Sequence, residues 1–435
     1  MTRTLGLGKL LFASILLVAF GTSQFAAAKT LCVNPGGTKG CYSTITAAIT
    51  AAAAHDTINV EAGTYAEYVL IGKPLYLVGA GSKTTIVDAT GQNNAFYVDG
   101  LDHAKLSGVT IEGFTAKNAN FEGIAVTNAS NVNISSNLVT NNDLSLDVKN
   151  STCPGLPAWE TSEGADCGEG IHISGTAYST VADNVSEGNS GGILISDDTA
   201  KSEYNVITGN TFKDNLYDCG ITMPSHPAYP STVKKPYGIY YNTITGNTST
   251  GNGTAVAGAG AGILLAGFVP YAIVEGSILS NNTLTHNGLP GVVFHGHSDA
   301  GTPGVNLENT VIVGNTISFN GADTGDAETP GTTGINLFGA AATKTAAAAL
   351  LQGTQVYGNT ISNEAYAIVA NNADAVTAHL NNLDNTGKVG VDNTGGGSVD
   401  ATDNYWGCAK GPGATGCSTV KGAKVTVDPF RTTKY

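Results

Sequence analysis

Along most of the chain the apolar residues recur with period two in very short bursts, each opened by a glycine. The bursts are Gly123-Ile-Ala-Val, Gly170-Ile-His-Ile, Gly192-Ile-Leu-Ile, Gly220-Ile-Thr-Met, Gly262-Ile-Leu-Leu, Gly291-Val-Val-Phe and Gly334-Ile-Asn-Leu. Residues two apart on a strand share a face, so Ile171/Ile173, Ile193/Ile195, Ile221/Met223, Ile263/Leu265, Val292/Phe294 and Ile335/Leu337 form one buried row. Between the bursts lie asparagines five residues apart: Asn184/Asn189, Asn210/Asn215, Asn247/Asn252, Asn282/Asn287 and Asn315/Asn320. Asparagine tolerates left-handed backbone and bonds locally through its amide, which suits a sharp corner between short strands. Stacked corners would let each amide bond its counterparts one strand spacing, about 4.8 Å, above and below.

Equivalent glycines are 22 residues apart at the closest, Gly170 to Gly192, and more than 40 where insertions occur. That is too short for a strand, a crossover helix and a second strand, and helical periodicity is absent from the repeats. Tight hairpin signals for propeller blades are missing too. The pattern predicts an all-β fold, a single-stranded right-handed parallel β-helix with one coil per repeat. A short amphipathic helix is expected over 42–54, capping the N-terminal end. We read 1–28 as a signal peptide, 29–70 as the N-terminal cap and first coil, 71–400 as the solenoid and 401–435 as a C-terminal cap, with Trp406 closing the core. Without caps, the terminal coils would present open strand edges.

The opening Asp56-Thr-Ile-Asn-Val60 with Ala62-Gly-Thr-Tyr65, the Asn/Gly repeats, and the closing Asp403-Asn-Tyr-Trp-Gly407, Gly411-Pro-Gly413 and Val425-Thr-Val-Asp-Pro429 resemble the secreted parallel β-helix repeat family of the pectate-lyase-like superfamily. The resemblance spans most of the chain. It implies a fold that carries pectate lyases, polygalacturonases, pectin esterases, mannuronan epimerases, tailspikes, metal-cluster maturation proteins and adhesins, so activity must be argued from a site.

Composition sharpens the picture at three points. Arg3 and Lys9 precede the apolar run 10–20, and Ala26-Ala27-Ala28 offers a cleavage site, which implies export to a secreted or periplasmic location. The run is too short to anchor the chain in a membrane, and no second apolar stretch suggests a span. The formal charge of −14 disfavours nucleic acid as a partner, and beyond the leader Arg431 is the one remaining arginine. Seven cysteines in an oxidising compartment suggest local loops 32/41, 153/167 and 408/417, with Cys219 left as a buried small hydrophobe.

Insertions point to a working edge. From the strand glycine to the next asparagine pair the shortest path is 14 residues, whereas later coils take 18, 27, 20, 24 and 25. Loops 198–204, 224–241, 267–276, 296–310 and 339–355 should therefore form a wall along one edge. Six positions past successive glycines, Asp198, His226, Phe268 and His297 fall in one column, with Asp197 and His295 beside it. Such groups one coil apart can build an acid–base or metal constellation. Asp198, His226, His297, Asp197 and His295 are the catalytic candidates, and Phe268, Tyr237 and Tyr240 the substrate-binding ones. His172 and Glu169 read as solvent-facing packing. Asp323, Asp326 and Glu328 share an acidic loop that could take Ca²⁺, without a complete ligand-loop pattern.

Specific enzyme signatures fail. Asp197-Asp198 and His295-Gly296 match the polygalacturonase groups in type only, since the Arg-x-Lys that grips uronate is absent. The arginines of pectate lyases and pectin esterases and the epimerase Tyr-Gly-Phe-Asp-Pro-His string are missing as well. What remains is a secreted β-helix expected to bind an extracellular polysaccharide as a monomer, with lyase, glycosidase or epimerase action left open. The alternatives are a non-catalytic adhesion solenoid and a periplasmic metal-handling protein using His226, His295 and His297.

Overall fold

The computed structural model of the chain describes residues 27–161, 167–299, 301–338, 349–372, 374–385 and 387–435. The proposed leader lies almost wholly outside these residues, as does most of the loop expected at 339–355. Between the end coils, each turn contributes one strand to each of three long sheets, and every strand pair in them is parallel. Sheet I runs from Thr30–Val33 to Val425–Thr426, sheet II from Gly63–Tyr65 to Asn382–Asp384, and sheet III from Val69–Ile71 to Thr419–Gly422. One coil reads Ile171–Ser174 in sheet III, Thr180–Ala182 in sheet I and Val185–Glu187 in sheet II, returning to sheet III at Ile193–Ser196. This is the right-handed parallel β-helix that the repeat pattern predicts.

The glycine-led bursts are the strands of sheet III, in the expected register: Ile171 pairs with Ile193, Ile193 with Ile221, Ile221 with Ile263 and Ile263 with Val292. Their alternate residues point inward and are buried. They meet single inward residues from the three-residue strands of the other sheets, such as Ile207, Ile244 and Leu279 in sheet I and Phe212, Leu284 and Ile317 in sheet II. Burying such side chains contributes about 1.5–3 kcal/mol each.

The asparagines form two ladders through the corners flanking sheet II. In the first, each Nδ2 donates to the next Oδ1 at 2.9–3.1 Å through Asn137, Asn184, Asn210, Asn247, Asn282, Asn315, Asn359, Asn381 and Asn404. Asn184 shows the full pattern. Its Oδ1 also accepts the Asn137 backbone N–H at 3.0 Å, and its Nδ2 also donates to the Ile134 carbonyl at 2.8 Å. The second ladder climbs from Asn142 to Asn320 and ends on Glu364, whose Oε1 accepts both the backbone N–H and the Nδ2 of Asn320. Burial pushes the Glu364 carboxyl up to about 7 despite these donors.

Both ends are closed. The helix is shorter than expected, Ile45–Ala51, because Thr44 caps it and accepts the Ala47 N–H, while the Glu67 carboxylate takes the N–H groups of Ile45 and Thr46. Ile45, Ala48 and Ile49 seal the first coil. At the other end Trp406 is fully buried, and its ring lies where a Cβ on Gly390 would be, 2.7 Å away. Cys32–Cys41, Cys153–Cys167 and Cys408–Cys417 are disulfides, and Cys219 is a buried free thiol.

Two stability outcomes follow from the ladders. Asn247→Ala strands the Asn210 N–H and removes the amide donor to the Ile207 carbonyl in the core, and should cost about 2 kcal/mol or more in chemical denaturation. Glu364 has a folded-state pKa raised above its usual 4.5, so stability should fall as pH rises from about 4.5 to about 7. Glu364→Gln should flatten that fall and stabilise the chain more at pH 8 than at pH 4.5, read as Tm against pH.

Candidate active site on the outer face of sheet III

The outward positions of sheet III alternate with the buried row, so the side chains two apart from His172, Ser196 and His295 share the outer face. The predicted column is one line on that face. The Phe268 N–H donates to the Ser225 carbonyl at 3.1 Å and the His297 N–H to the Gly267 carbonyl at 2.9 Å, continuing the ladder past the strand ends. Asp198, His226, Phe268 and His297 therefore stand side by side. His226 Nδ1 lies 3.2 Å from both Asp198 oxygens, and the Phe268 ring packs edge-on against His226 at 5.2 Å and stacks on His297 at 4.6 Å.

Phe268 divides the column into two halves with different surroundings. In the first, Asp197, Asp198 and His226 are completely buried. Asp197 serves the backbone: its oxygens accept the N–H groups of His226 at 2.7 Å and Gly238 at 2.5 Å and the Ser225 hydroxyl at 2.9 Å. Burial pushes its carboxyl up to about 6 against those donors. For Asp198 burial works the same way, but the His226 imidazole overrides it and holds the carboxyl at about 2. A polymer cannot touch this half. The proposed metal-handling trio is likewise split, since Phe268 separates His226 from His295 and His297.

The second half is open. His297, Phe268 and His295 line a cleft of about 190 Å³ with Tyr217, Leu289 and Asp326 among its walls. The His295 Nε2 lies 2.5 Å from Asp323 Oδ2, and the imidazole holds the Asp323 carboxyl below its usual range although burial opposes it. Asp323 Oδ1 accepts the Asp326 N–H at 3.0 Å, which fixes the acidic loop over the cleft. Burial, with His295 beside it, pushes His297 down to about 4. Of the acidic trio, Asp326 joins His295 and His297, each offering a donor atom within 4.8 Å of the others, while Glu328 is exposed and outside that group.

Tyr237 and Tyr240 do not line the cleft. Tyr237 donates its hydroxyl to the Tyr229 carbonyl at 3.2 Å, and Tyr240 lies in a small extra sheet of Ser202–Glu203, Ile239–Tyr240 and Val274–Glu275, with Lys201 Nζ 5.4 Å from its ring. This small sheet is the base of the expected wall. The opposite edge carries walls that counting from glycine to asparagine overlooks: the steps from asparagine to glycine lengthen from 3 residues at Asn189–Gly192 to 10 at Asn252–Gly262, 14 at Asn320–Gly334 and 28 at Asn142–Gly170. Those insertions supply Asp326 and the residues around Gly258 to the cleft, and the segment 159–161 that covers the buried half.

His172 and Glu169 are also corrected. Both are fully buried: His172 Nδ1 lies 3.1 Å from Glu122 Oε1 and its Nε2 lies 2.8 Å from Ser196 Oγ, while Glu169 accepts the Thr222 hydroxyl at 3.0 Å. Three further histidines have local partners: His103 with Asp99, His379 with Asp400, and His286 stacked on Phe319.

Residues 50–250 match the sequence profile of the family described as periplasmic copper-binding protein (NosD), a stretch that stops short of the cleft histidines. No curated protein matches the chain. Among solved structures, the DFA-IIIase of Arthrobacter chlorophenolicus A6 without its lid is similar at 13% identity over 87% of this chain and 89% of that chain, with a TM-score of 0.53. The same enzyme in complex with GF2 gives 13% over 92% and 99%, with a TM-score of 0.52. Pectate lyase Pel9A gives 16% over 78% and 81%, with a TM-score of 0.49. At these identities the likeness shows the fold.

The two halves of the column should respond differently to mutation. His226→Ala leaves the ionised Asp198 buried without its imidazole and should cost about 3–5 kcal/mol. His297→Ala, at the cleft, should change Tm by a few degrees at most; thermal denaturation of both variants checks this.

Proposed function

We propose that this chain binds an extracellular polysaccharide over the open half of the outer face of sheet III and acts on one sugar at the cleft, with His297 as proton acceptor. The observation that supports it is a partly exposed imidazole, lowered to about 4 by its burial, in an open cleft beside Asp326. At neutral pH such a group is unprotonated and open to a proton, and because the same burial weakens it as a base, the cleft must supply the rest by holding the sugar against the imidazole. The remaining groups suit the same task. Phe268 fixes the ring of His297 by stacking, and the Asp323–His295 pair fixes the polar wall next to it. Leu264, Leu289 and Tyr217 offer apolar surface to a sugar face.

The volume sets the mode of binding. At about 190 Å³ the cleft falls below the roughly 300 Å³ at which pockets enclose a drug-sized ligand, so it receives one residue while the chain extends along the face. No Lys or Arg lines the cleft among the described residues, so the negative charge that develops on a uronate must be met by the imidazole wall or by an added cation. Ca²⁺ belongs in the assay for that reason. An exported protein is in keeping with this substrate and with the three disulfides, and no helix among the described residues is long and apolar enough to cross a membrane.

The test is a panel of pectin, alginate and glycosaminoglycan, with and without Ca²⁺, read by unsaturated products, reducing ends and C5 proton exchange. Activity that falls by roughly 100-fold or more in His297→Ala, with Tm within a few degrees of the parent, is the expected result. Activity that survives His297→Ala would remove His297 from the chemistry. Neither turnover nor binding on any polymer would leave the adhesion reading in its place.

A further inference from the structure

The segment Trp159-Glu160-Thr161, from the 28-residue insertion before Gly170, docks on the buried half of sheet III. The Trp159 ring stacks parallel to Tyr97 at 6.3 Å and packs on His172 at 5.4 Å, and Thr161 donates its hydroxyl to Asp198 at 2.6 Å. Between them Glu160 reaches the same imidazole nitrogen as Glu122: its Oε1 lies 3.3 Å from His172 Nδ1, where Glu122 Oε1 lies at 3.1 Å. The three side chains are essentially inaccessible, and one donor atom from each lies within 4.8 Å of the other two.

Two groups outside the trio aim it. Asn94 Nδ2 donates to Glu122 Oε2, which leaves Oε1 turned to the centre, and Ser196 Oγ holds His172 Nε2, which leaves Nδ1 turned there. Partners of this kind orient the ligands of bound metals. Charge points the same way. Two carboxylates facing one imidazole in a dry place hold together only by sharing a proton or a cation, and a divalent ion at that point would meet both. The geometry points to a divalent metal site formed by Glu122, Glu160 and His172, which clamps the inserted segment to the solenoid. Two carboxylate oxygens and one nitrogen suit Zn²⁺ or Mn²⁺; Ca²⁺ takes six to eight oxygens, and no thiolate or thioether is present to favour a soft ion. This site is separate from the cleft and does not depend on the reading given for it.

The experiment uses the full exported chain with disulfides intact, its metal content measured by mass spectrometry before and after dialysis against a chelator, then titrated with Zn²⁺ and Mn²⁺ by calorimetry. One equivalent is expected, lost in Glu160→Gln and His172→Gln and kept in His297→Ala. Ser196→Ala, which leaves all three ligands in place, should weaken binding roughly 10- to 100-fold. Trp159 provides a second readout: in a Trp406→Phe background its emission should change on metal removal and recover on addition. No binding of either ion by the folded chain overturns the proposal. So does an equivalent that survives Glu160→Gln and disappears in His297→Ala, because the ion would then belong to the cleft.

Discussion

Every coil of this solenoid must bond to the coil on either side, and the buried amide of asparagine is what makes that possible at the corners. A strand pairs through its backbone, but a corner turns its N–H and C=O groups away from the ladder, and inside a protein each orphaned group is costly. Asn184 resolves this by accepting one backbone N–H and donating to both a carbonyl and the next amide. Because the interaction repeats identically upward, it fixes the spacing and registration of the coils. That registration lets Asp198 meet His226 across 28 residues of sequence.

A second constraint acts on the outer face. The chain has almost no arginine, and the lysine ion pairs among the described residues lie at the surface, as Lys213 with Glu187 does. Buried carboxylates there rely on histidine, amide, hydroxyl and backbone N–H partners. Asp198 with His226, Asp323 with His295 and Glu122 with His172 are variations on one solution. The same imidazole–carboxylate pairing thus produces a sealed structural half and an open half, and Phe268 marks the boundary.

The repeat architecture was legible because period-two bursts and five-residue asparagine spacing are local patterns that only a stack of corners satisfies. The column was legible for the same reason: six residues past each glycine is the same place in every coil. What counting could not show is cover. His172 alternates outward from Ile171 and Ile173, which reads as exposure, yet Trp159 and Glu160 come from an insertion and lie on top of it. The 28-residue step from Asn142 to Gly170 and the Cys153–Cys167 bracket were the available signals.

By itself the sequence determined the winding, the inward row, the corners and the line along which polar side chains stand, since these depend on backbone period and on residues near one another in the chain. Only the tertiary structure decided which part of that line meets solvent and which carboxylate faces which imidazole. Exposure depends on loops whose lengths vary from coil to coil and whose paths no repeat dictates. Packing of those loops buried Asp198 and His226 and left His297 open.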